Sequence, residues 1–252
     1  MDNNDPSLTE RFQQYFAVEF AGTPDQKQKG YQIRYRVYCE EFGYEPADQF
    51  PDNAEYDEYD DIALHCLITH RATGTPAGSV RIVPAAGVDG HDLMPFEQHC
   101  GACVDQDFVK ALHVPRNTMC EISRLAIDRQ FRRRSGEVAT RFGKIEAMDF
   151  SNQDQRAFSL ISVAAFLATT ALTDLTGRTN AFAMMEPFLP RLLTRSGIYF
   201  QRAGSDMDYH GLRAPYFITT QAVLANMQPQ LQALYDEIYA TFLRVRDDWG
   251  DI

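Results

Sequence analysis

The sequence lacks the features of membrane-spanning and secreted proteins. No apolar run among its 252 residues reaches the roughly 18 to 20 residues that span a bilayer. The first five residues, Met-Asp-Asn-Asn-Asp, are acidic, whereas a secretion signal is basic and then apolar. Five cysteines, an odd number, do not suggest a framework of disulfides. These absences predict a protein of the reducing cytoplasm with no transmembrane segment.

An excess of positive charge is also missing. Lysine and arginine number 24 against 35 aspartates and glutamates, which gives a formal net charge of -11. A protein that binds nucleic acid through its phosphates usually has the opposite balance, so nucleic acid is not an expected partner. The sequence contains no repeat, no low-complexity segment and no stretch with the composition of a linker. We therefore predict one domain over residues 1–252.

A metal-binding pattern is incomplete. Cys100 and Cys103 form a single CxxC, and His99 and His113 lie close by in the sequence. Zinc sites of this kind need a second ligand pair at a regular spacing, and none follows. The sequence therefore predicts no metal site.

Helical and extended patterns mix without strict alternation, which is typical of an α/β domain with a mixed sheet. Ser7 and Glu10 form a capping box, and the apolar stripe after them predicts a first helix that continues to Phe20. A second helix is expected over residues 27–42, and the most apolar strand over residues 120–128.

That strand contains two charges in an apolar run, where unpaired charge is costly. Glu121 and Arg124 are three residues apart, and a regular strand would place them on opposite faces. A bulge near Ile122 or Ser123 would bring both to one face, and bulges are common beside active sites. The alternative is an ion pair with a purely structural role.

Other charges precede this strand. Arg34 and Tyr38 share one face of the second helix, and Arg81 lies on the strand of residues 78–84. An acidic loop, which contains Glu55, Asp57 and Asp60, leads into a strand. Taken singly, each pattern is also typical of a solvated surface.

Taken together, these residues resemble the acyl-homoserine-lactone synthases, a branch of the Gcn5-related (GNAT) acyltransferases. The resemblance runs from Arg34 to about Leu125. This sequence has tyrosine at two positions where that family usually has phenylalanine and tryptophan. The matching positions, in order, are Arg34, Tyr38, Tyr44, Glu55, Asp57, Asp60, Arg81, Phe96, Glu121 and Arg124.

A second resemblance covers nearly the whole chain. It is to acyltransferases associated with the exosortase protein-sorting system, which are related to the N-acyl amino acid synthases. The stretches that carry it are residues 33–41, 121–124, 185–187 and 209–216.

These resemblances imply a GNAT-like fold: a mixed, largely antiparallel sheet with splayed central strands, an N-terminal helical lobe and a C-terminal helix. They imply an N-acyltransferase that moves a fatty acyl group from acyl carrier protein or acyl-CoA to the amine of an amino-acid-like acceptor. No permanently bound cofactor is expected. Two alternatives stay open: an autoinducer synthase that uses S-adenosylmethionine, and a non-catalytic module that binds acyl carrier protein.

The resemblances also imply roles for particular residues. We expect Glu121 to orient or deprotonate the amine, and Ser123 and Arg124 on the same strand are the other catalytic candidates. Arg34, Arg81 and Arg124 are expected to pair with the three carboxylates of the acidic loop and brace the N-terminal lobe. We expect the carboxylate of the acceptor to meet His210 and Arg213.

The basic segment after the central strand is expected to bind the donor. The phosphate of the donor, or the carrier protein itself, would contact Arg132, Arg133, Arg134 and Gly136. The usual phosphate-binding signature is imperfect here, because Glu137 and Val138 follow that glycine.

Overall fold

A computed structural model describes residues 6–85, 93–132 and 153–249. The helices in these ranges are α1 Leu8–Tyr15, α2 Pro24–Arg34, α3 Pro95–Cys100, α4 Gln106–Ala111, α5 Arg129–Arg132, α6 Gln153–Thr176, α7 Leu189–Leu193, α8 Thr220–Asn226 and α9 Pro229–Arg244. The strands are β1 Phe16–Phe20, β2 Leu64–His70, β3 Thr75–Pro84, β4 Met119–Ile127, β5 Asn180–Met185, β6 Gln201–Arg202, β7 Met207–Asp208 and β8 Leu212–Thr219. A π-helical segment, Tyr35–Glu41, continues α2 directly.

One sheet organises the described residues, in the strand order β1-β2-β3-β4-β5-β8-β6. Strand β7 pairs with β8 beside this path. Only the β4–β5 pair among these strands is parallel, and the others are antiparallel. The expected mixed, largely antiparallel sheet is confirmed.

The first predicted helix is correct at its start and wrong at its end. Ser7 and Glu10 form the capping box, but the helix stops at Tyr15. Phe16–Phe20 is an edge strand that pairs with β2, with Phe16 opposite His70. Apolar residues at helical spacing are compatible with both states, and pairing with a strand some fifty residues away selected the extended one.

Helices cover both faces of the sheet. Helices α1, α6 and α9 pack on one face around a large apolar cluster that includes Ile82, Ile122 and Phe166. The opposite face holds α2 and its π-helical extension, where Ile33 and Val37 pack against Leu67 and Ala126. We call these the α6 face and the α2 face.

The two central strands separate along their length. Strands β4 and β5 pair only from Met119–Asn180 to Glu121–Phe182. Beyond that point β4 continues to Ile127 and β5 to Met185 without pairing to each other. The predicted splayed centre is therefore confirmed, and Glu121 lies where the strands part.

No helix among the described residues combines the length and the apolar character that crossing a bilayer requires.

Candidate active site

A cleft of about 730 Å³, partly open to solvent, lies between the separating strands. Its polar lining belongs to the α2 face and to the turn after β7, and includes Glu121, Arg124 and His210. Its apolar lining reaches the α6 face, where Phe166 and Leu189 belong to the main cluster. The cleft therefore passes through the gap in the sheet from a polar side to an apolar one.

Glu121 is buried at the point where the strands diverge, with 4% of its surface exposed. One carboxylate oxygen accepts a hydrogen bond of 2.8 Å from the backbone N–H of Phe96. The Phe96 ring stacks on Phe182 of β5, which fixes that N–H in place. Burial raises the pKa of Glu121 to about 7, although the Phe96 N–H, Arg81 and Arg124 act in the opposite direction.

A bulge in β4 brings Arg124 to the same face as Glu121. Between the pairs Ser79–Ala126 and Arg81–Ser123, strand β4 has one residue more than β3. Arg124 adopts a left-handed backbone conformation, with φ of 53°. A bulge was expected near Ile122 or Ser123; the structure places it at Arg124 and Leu125 instead.

The bulge is held from the N-terminal lobe. The Tyr38 hydroxyl donates a 2.8 Å hydrogen bond to the carbonyl of Leu125. The Arg124 guanidinium lies over the Tyr38 ring, 5.7 Å from its centroid. Tyr38, in the π-helical segment that follows α2, thus contacts both bulged residues.

Three arginines and three carboxylates form a buried to half-buried set of ion pairs, which we call the arginine lattice (Arg34, Arg81, Arg124, Glu55, Asp57 and Asp60). Arg34 donates to Glu55 and Asp60. Arg81 donates to both oxygens of Asp57 and to Asp60, and its Nε donates 3.2 Å to the Ser123 hydroxyl. Arg124 reaches Glu55 at 3.1 Å and Asp57 at 3.0 Å. The lattice joins α2, the acidic loop, β3 and β4.

The lattice keeps its carboxylates ionised. Burial would raise the pKa of Asp60, but Arg34 and Arg81 outweigh burial and hold it well below the usual range. Burial is opposed in the same way at Glu55, mainly by Arg34 and Arg124, and its pKa is also lowered. Burial lowers the pKa of the neighbouring His65 to about 4, despite the attraction of Asp60, so His65 is neutral at pH 7.

The turn after β7 closes one end of the cleft. Arg213 is buried and lies over the rings of Tyr44 and Tyr209, at 5.6 and 5.9 Å from their centroids. Its Nη2 donates to the carbonyl of His210. The His210 ring lies 3.4 Å from Glu45, so this turn contacts the N-terminal lobe.

The structure brings most of the predicted site residues together but not all. The cleft is lined by Tyr38, Arg81, Phe96, Glu121, Ser123, Arg124, His210 and Arg213. Glu45 and Tyr209 also line it and were not among the candidates. Glu45 directly follows Tyr44, and Tyr209 begins one of the stretches that carry the second resemblance, so both signals were available.

Most of the predicted donor-binding segment lies outside the residues that the structure describes. Arg132 ends α5, which follows β4 directly. Arg133, Arg134 and Gly136 lie outside the described residues. Their proposed contact with the donor stays a prediction.

Comparisons with known proteins agree with this fold. Residues 33–140 match the family model described as an acetyltransferase (GNAT) domain. The chain has a GNAT-like fold, and this segment is similar to GNAT acetyltransferases. No curated protein matches the sequence.

Three solved structures show how widely this GNAT fold is shared. TofI, solved with an inhibitor and MTA, is 19% identical, covers 86% of this chain and 98% of its own, and has a TM-score of 0.57. BjaI, a CoA-dependent acyl-homoserine lactone synthase, is 15% identical over 89% of each chain, with a TM-score of 0.54. FeeM, an N-acyl amino acid synthase from uncultured soil microbes, is 13% identical over 87% of this chain and 96% of its own, with a TM-score of 0.54.

Proposed function

We propose that this chain is an N-acyltransferase that moves a fatty acyl group from a phosphopantetheine thioester to the amine of an amino-acid-like acceptor. The observation that carries the proposal is Glu121, a buried carboxyl with a pKa of about 7, in a cleft that is polar on one side and apolar on the other. A group that titrates near neutral pH is suited to accept a proton there.

The reaction needs a neutral amine, donors for the carbonyl oxygen and a proton for the departing thiolate. Glu121 takes the proton of the amine, directly or through water, as the amine attacks the thioester carbonyl. The C–N bond forms, the C–S bond breaks, and the proton passes to the thiolate. We assign the carbonyl donors to backbone N–H groups of β4 and β5 beyond Glu121 and Phe182, where the strands no longer pair with each other.

The two sides of the cleft suit the two parts of an acyl thioester. The apolar side, with Ile122, Phe166, Met185 and Leu189, can hold an acyl chain. The pantetheine arm can lie against the free strand edges, as in the addition of a strand to a sheet. We assign the acceptor carboxylate to His210 and Arg213, which line the polar end of the cleft.

The first test is acyl transfer by purified protein. Acyl carrier protein and acyl-CoA donors are incubated with amino acids, and mass spectrometry identifies the products. Glu121→Gln should lower kcat by about 10²–10⁴-fold, because general base catalysis contributes about that much. Glu19→Gln on the edge strand β1 is the matched control and should leave kcat unchanged. Wild-type activity that survives in Glu121→Gln would remove Glu121 from the chemistry.

A second candidate is an autoinducer synthase that uses S-adenosylmethionine, because BjaI, an acyl-homoserine lactone synthase of similar fold, has been solved with SAM. Release of methylthioadenosine during turnover would identify this reaction, and its absence with an acylated amino acid as product would exclude it. A non-catalytic carrier-binding module is the remaining alternative. It would be supported if acyl carrier protein bound equally to wild type and Glu121→Gln while no acceptor was ever acylated.

The donor can be assigned by charge reversal at Arg132, Arg133 and Arg134. If these residues dock an acidic carrier protein, the KM for acyl carrier protein should rise, and more at low salt than at high salt. The KM for a short acyl-pantetheine thioester should change much less. Equal losses with both donors would instead mean that the arginines bind the phosphate or support the fold.

We place the reaction in the cytoplasm. All five cysteines lie among the described residues, and each is a free, buried thiol, as a reducing compartment permits. A link to the exosortase system, implied by the sequence resemblance, belongs to the same proposal. Lipid extracts of expressing cells, analysed by mass spectrometry, would identify the acyl length and the acceptor.

A further inference from the structure

A second, smaller cavity lies behind the arginine lattice. It lies between α2 and the strands β2 and β3 and measures about 250 Å³ when the part open to solvent is counted. Its enclosed part has room for about one water-sized ligand. Arg81 and Arg124 line both this cavity and the main cleft, so the two spaces share a wall of guanidinium groups. Glu121 lines the main cleft but not this second cavity.

Two residues that line this cavity each have a buried polar atom with no protein partner among the described residues. Arg34 is 2% exposed, and its Nε and Nη1 bind Glu55 and Asp60, but its Nη2 makes no hydrogen bond. Ser79 is 5% exposed, and its hydroxyl also makes none. Buried polar atoms nearly always have partners, because leaving them unpaired is costly. Both residues line the cavity, so a ligand there could satisfy both.

The lining favours an anion over a neutral ligand. Four of the residues around the cavity carry positive charge, and no aspartate or glutamate is among the described residues that line it. The cationic residues are Lys27, Arg34, Arg81 and Arg124. The lattice carboxylates balance the arginines from other sides. A guanidinium nitrogen can only donate a hydrogen bond, so its missing partner must be an acceptor.

We propose that this cavity binds one small inorganic anion of the size of chloride, held by Arg34 Nη2 and the Ser79 hydroxyl. An ion bound only to the folded chain stabilises it by mass action. The anion also completes the hydrogen bonds of the arginine on which Glu55 and Asp60 converge. The site therefore supports the lattice from the side away from the substrate.

Thermal unfolding gives the first measurement. The wild-type protein is titrated with sodium chloride against sodium gluconate at constant ionic strength, because gluconate is too large for the cavity. We expect Tm to rise by roughly 5–10 °C when chloride exceeds its dissociation constant about a hundredfold. No difference between the two salts over this range would overturn the proposal.

Two variants locate the response. Ser79→Ala should raise the half-saturating chloride concentration about tenfold, as expected for the loss of one hydrogen bond to a charged ligand. Gly30→Ala adds a methyl group 3.6 Å from the Ser79 Cβ and fills part of the cavity. It should raise Tm in gluconate, because alanine favours the helix, and should abolish the chloride response. Ser162→Ala in α6 is the control and should retain the wild-type response.

A bromide soak of crystals distinguishes an ion from water. An anomalous peak within hydrogen-bonding distance of Arg34 Nη2 and Ser79 Oγ supports the proposal. A water molecule there at saturating bromide, with no anomalous signal, would overturn it. A chloride response that is equal in wild type and Gly30→Ala would also overturn it, since the response would then arise at another surface.

Discussion

Two neighbouring regions of this protein bury carboxyl groups to nearly the same degree but shift their pKa values in opposite directions. Glu55 and Asp60 in the arginine lattice are 1% and 3% exposed, and Glu121 at the strand divergence is 4% exposed. The pKa of each lattice carboxyl lies below its ordinary value, whereas that of Glu121 is raised to about 7.

The difference comes from direct contact rather than from burial. Glu55 and Asp60 each touch two arginines, and those contacts outweigh the cost of desolvation. Arg81 and Arg124 are near enough to Glu121 to lower its pKa, but the hydrogen bond that its carboxylate accepts comes from the neutral Phe96 N–H. The lattice therefore suits a permanent brace, and Glu121 suits a group that exchanges a proton.

The largest expected effect comes from breaking the lattice. Arg81→Ala removes the donor to Asp57 and Asp60 and leaves the buried Asp60 and the half-buried Asp57 with fewer partners. Breaking a buried ion pair in this way costs about 3–5 kcal/mol. Chemical denaturation at pH 7 measures the loss in the free energy of unfolding.

Arg202→Ala is the matched control for that experiment. Arg202 pairs with Asp206, but both side chains are 44% exposed. Exposed pairs contribute about 0–1 kcal/mol, so this variant should unfold almost as wild type does. Similar losses in the two variants would mean that the lattice is not a special source of stability.

A smaller effect of opposite sign is expected at Glu121. Because its pKa is raised on folding, the folded chain holds a proton that the unfolded chain releases, and stability falls as pH rises from about 4.3 to about 7. Glu121→Gln removes this penalty and can still accept from the Phe96 N–H. Relative to wild type, the variant should gain about 1–3 kcal/mol between pH 5 and pH 8.

The pH window separates the two regions. Glu55 and Asp60 have lowered pKa values, so their contribution to the free energy of unfolding is fully present above about pH 4 and is lost only below it. Every titratable group other than Glu121 is the same in the two proteins, so the contributions of those groups cancel in the difference. A difference between Glu121→Gln and wild type that is constant from pH 5 to pH 8 would show that Glu121 titrates normally.

The sequence was informative about the charged residues of the site because they match the order of a known family pattern and because two of them lie in an apolar strand. Glu121 and Arg124 in an apolar strand demanded a compensating arrangement, and a bulge does bring them to one face. Its location could not be predicted, because a left-handed Arg124 carries no local signal comparable to that of glycine. The location of the bulge depends on the register of β4 against β3.

Other misses have the same origin in distant contacts. Phe16–Phe20 has an apolar pattern that suits a helix, yet it pairs with β2 as an edge strand. The π-helical turn after Arg34 was not expected either, although it carries Tyr38 to the bulge. Residues that act through long-range pairing were therefore the ones that local patterns described least well.

The smallest expected effect tests whether the two regions are independent. Tyr38→Phe removes the hydroxyl that donates to Leu125 but keeps the ring beneath Arg124. The loss of this hydrogen bond should cost about 1 kcal/mol, and Tyr239→Phe on α9, away from the bulge, should cost less. The bulge would loosen while Glu121 keeps its burial and its bond to Phe96, so the pH at which activity is half-maximal should stay near 7. A shift in that midpoint without a change in stability would mean that the bulge sets the environment of Glu121. The arginine lattice and Glu121 would then not act independently.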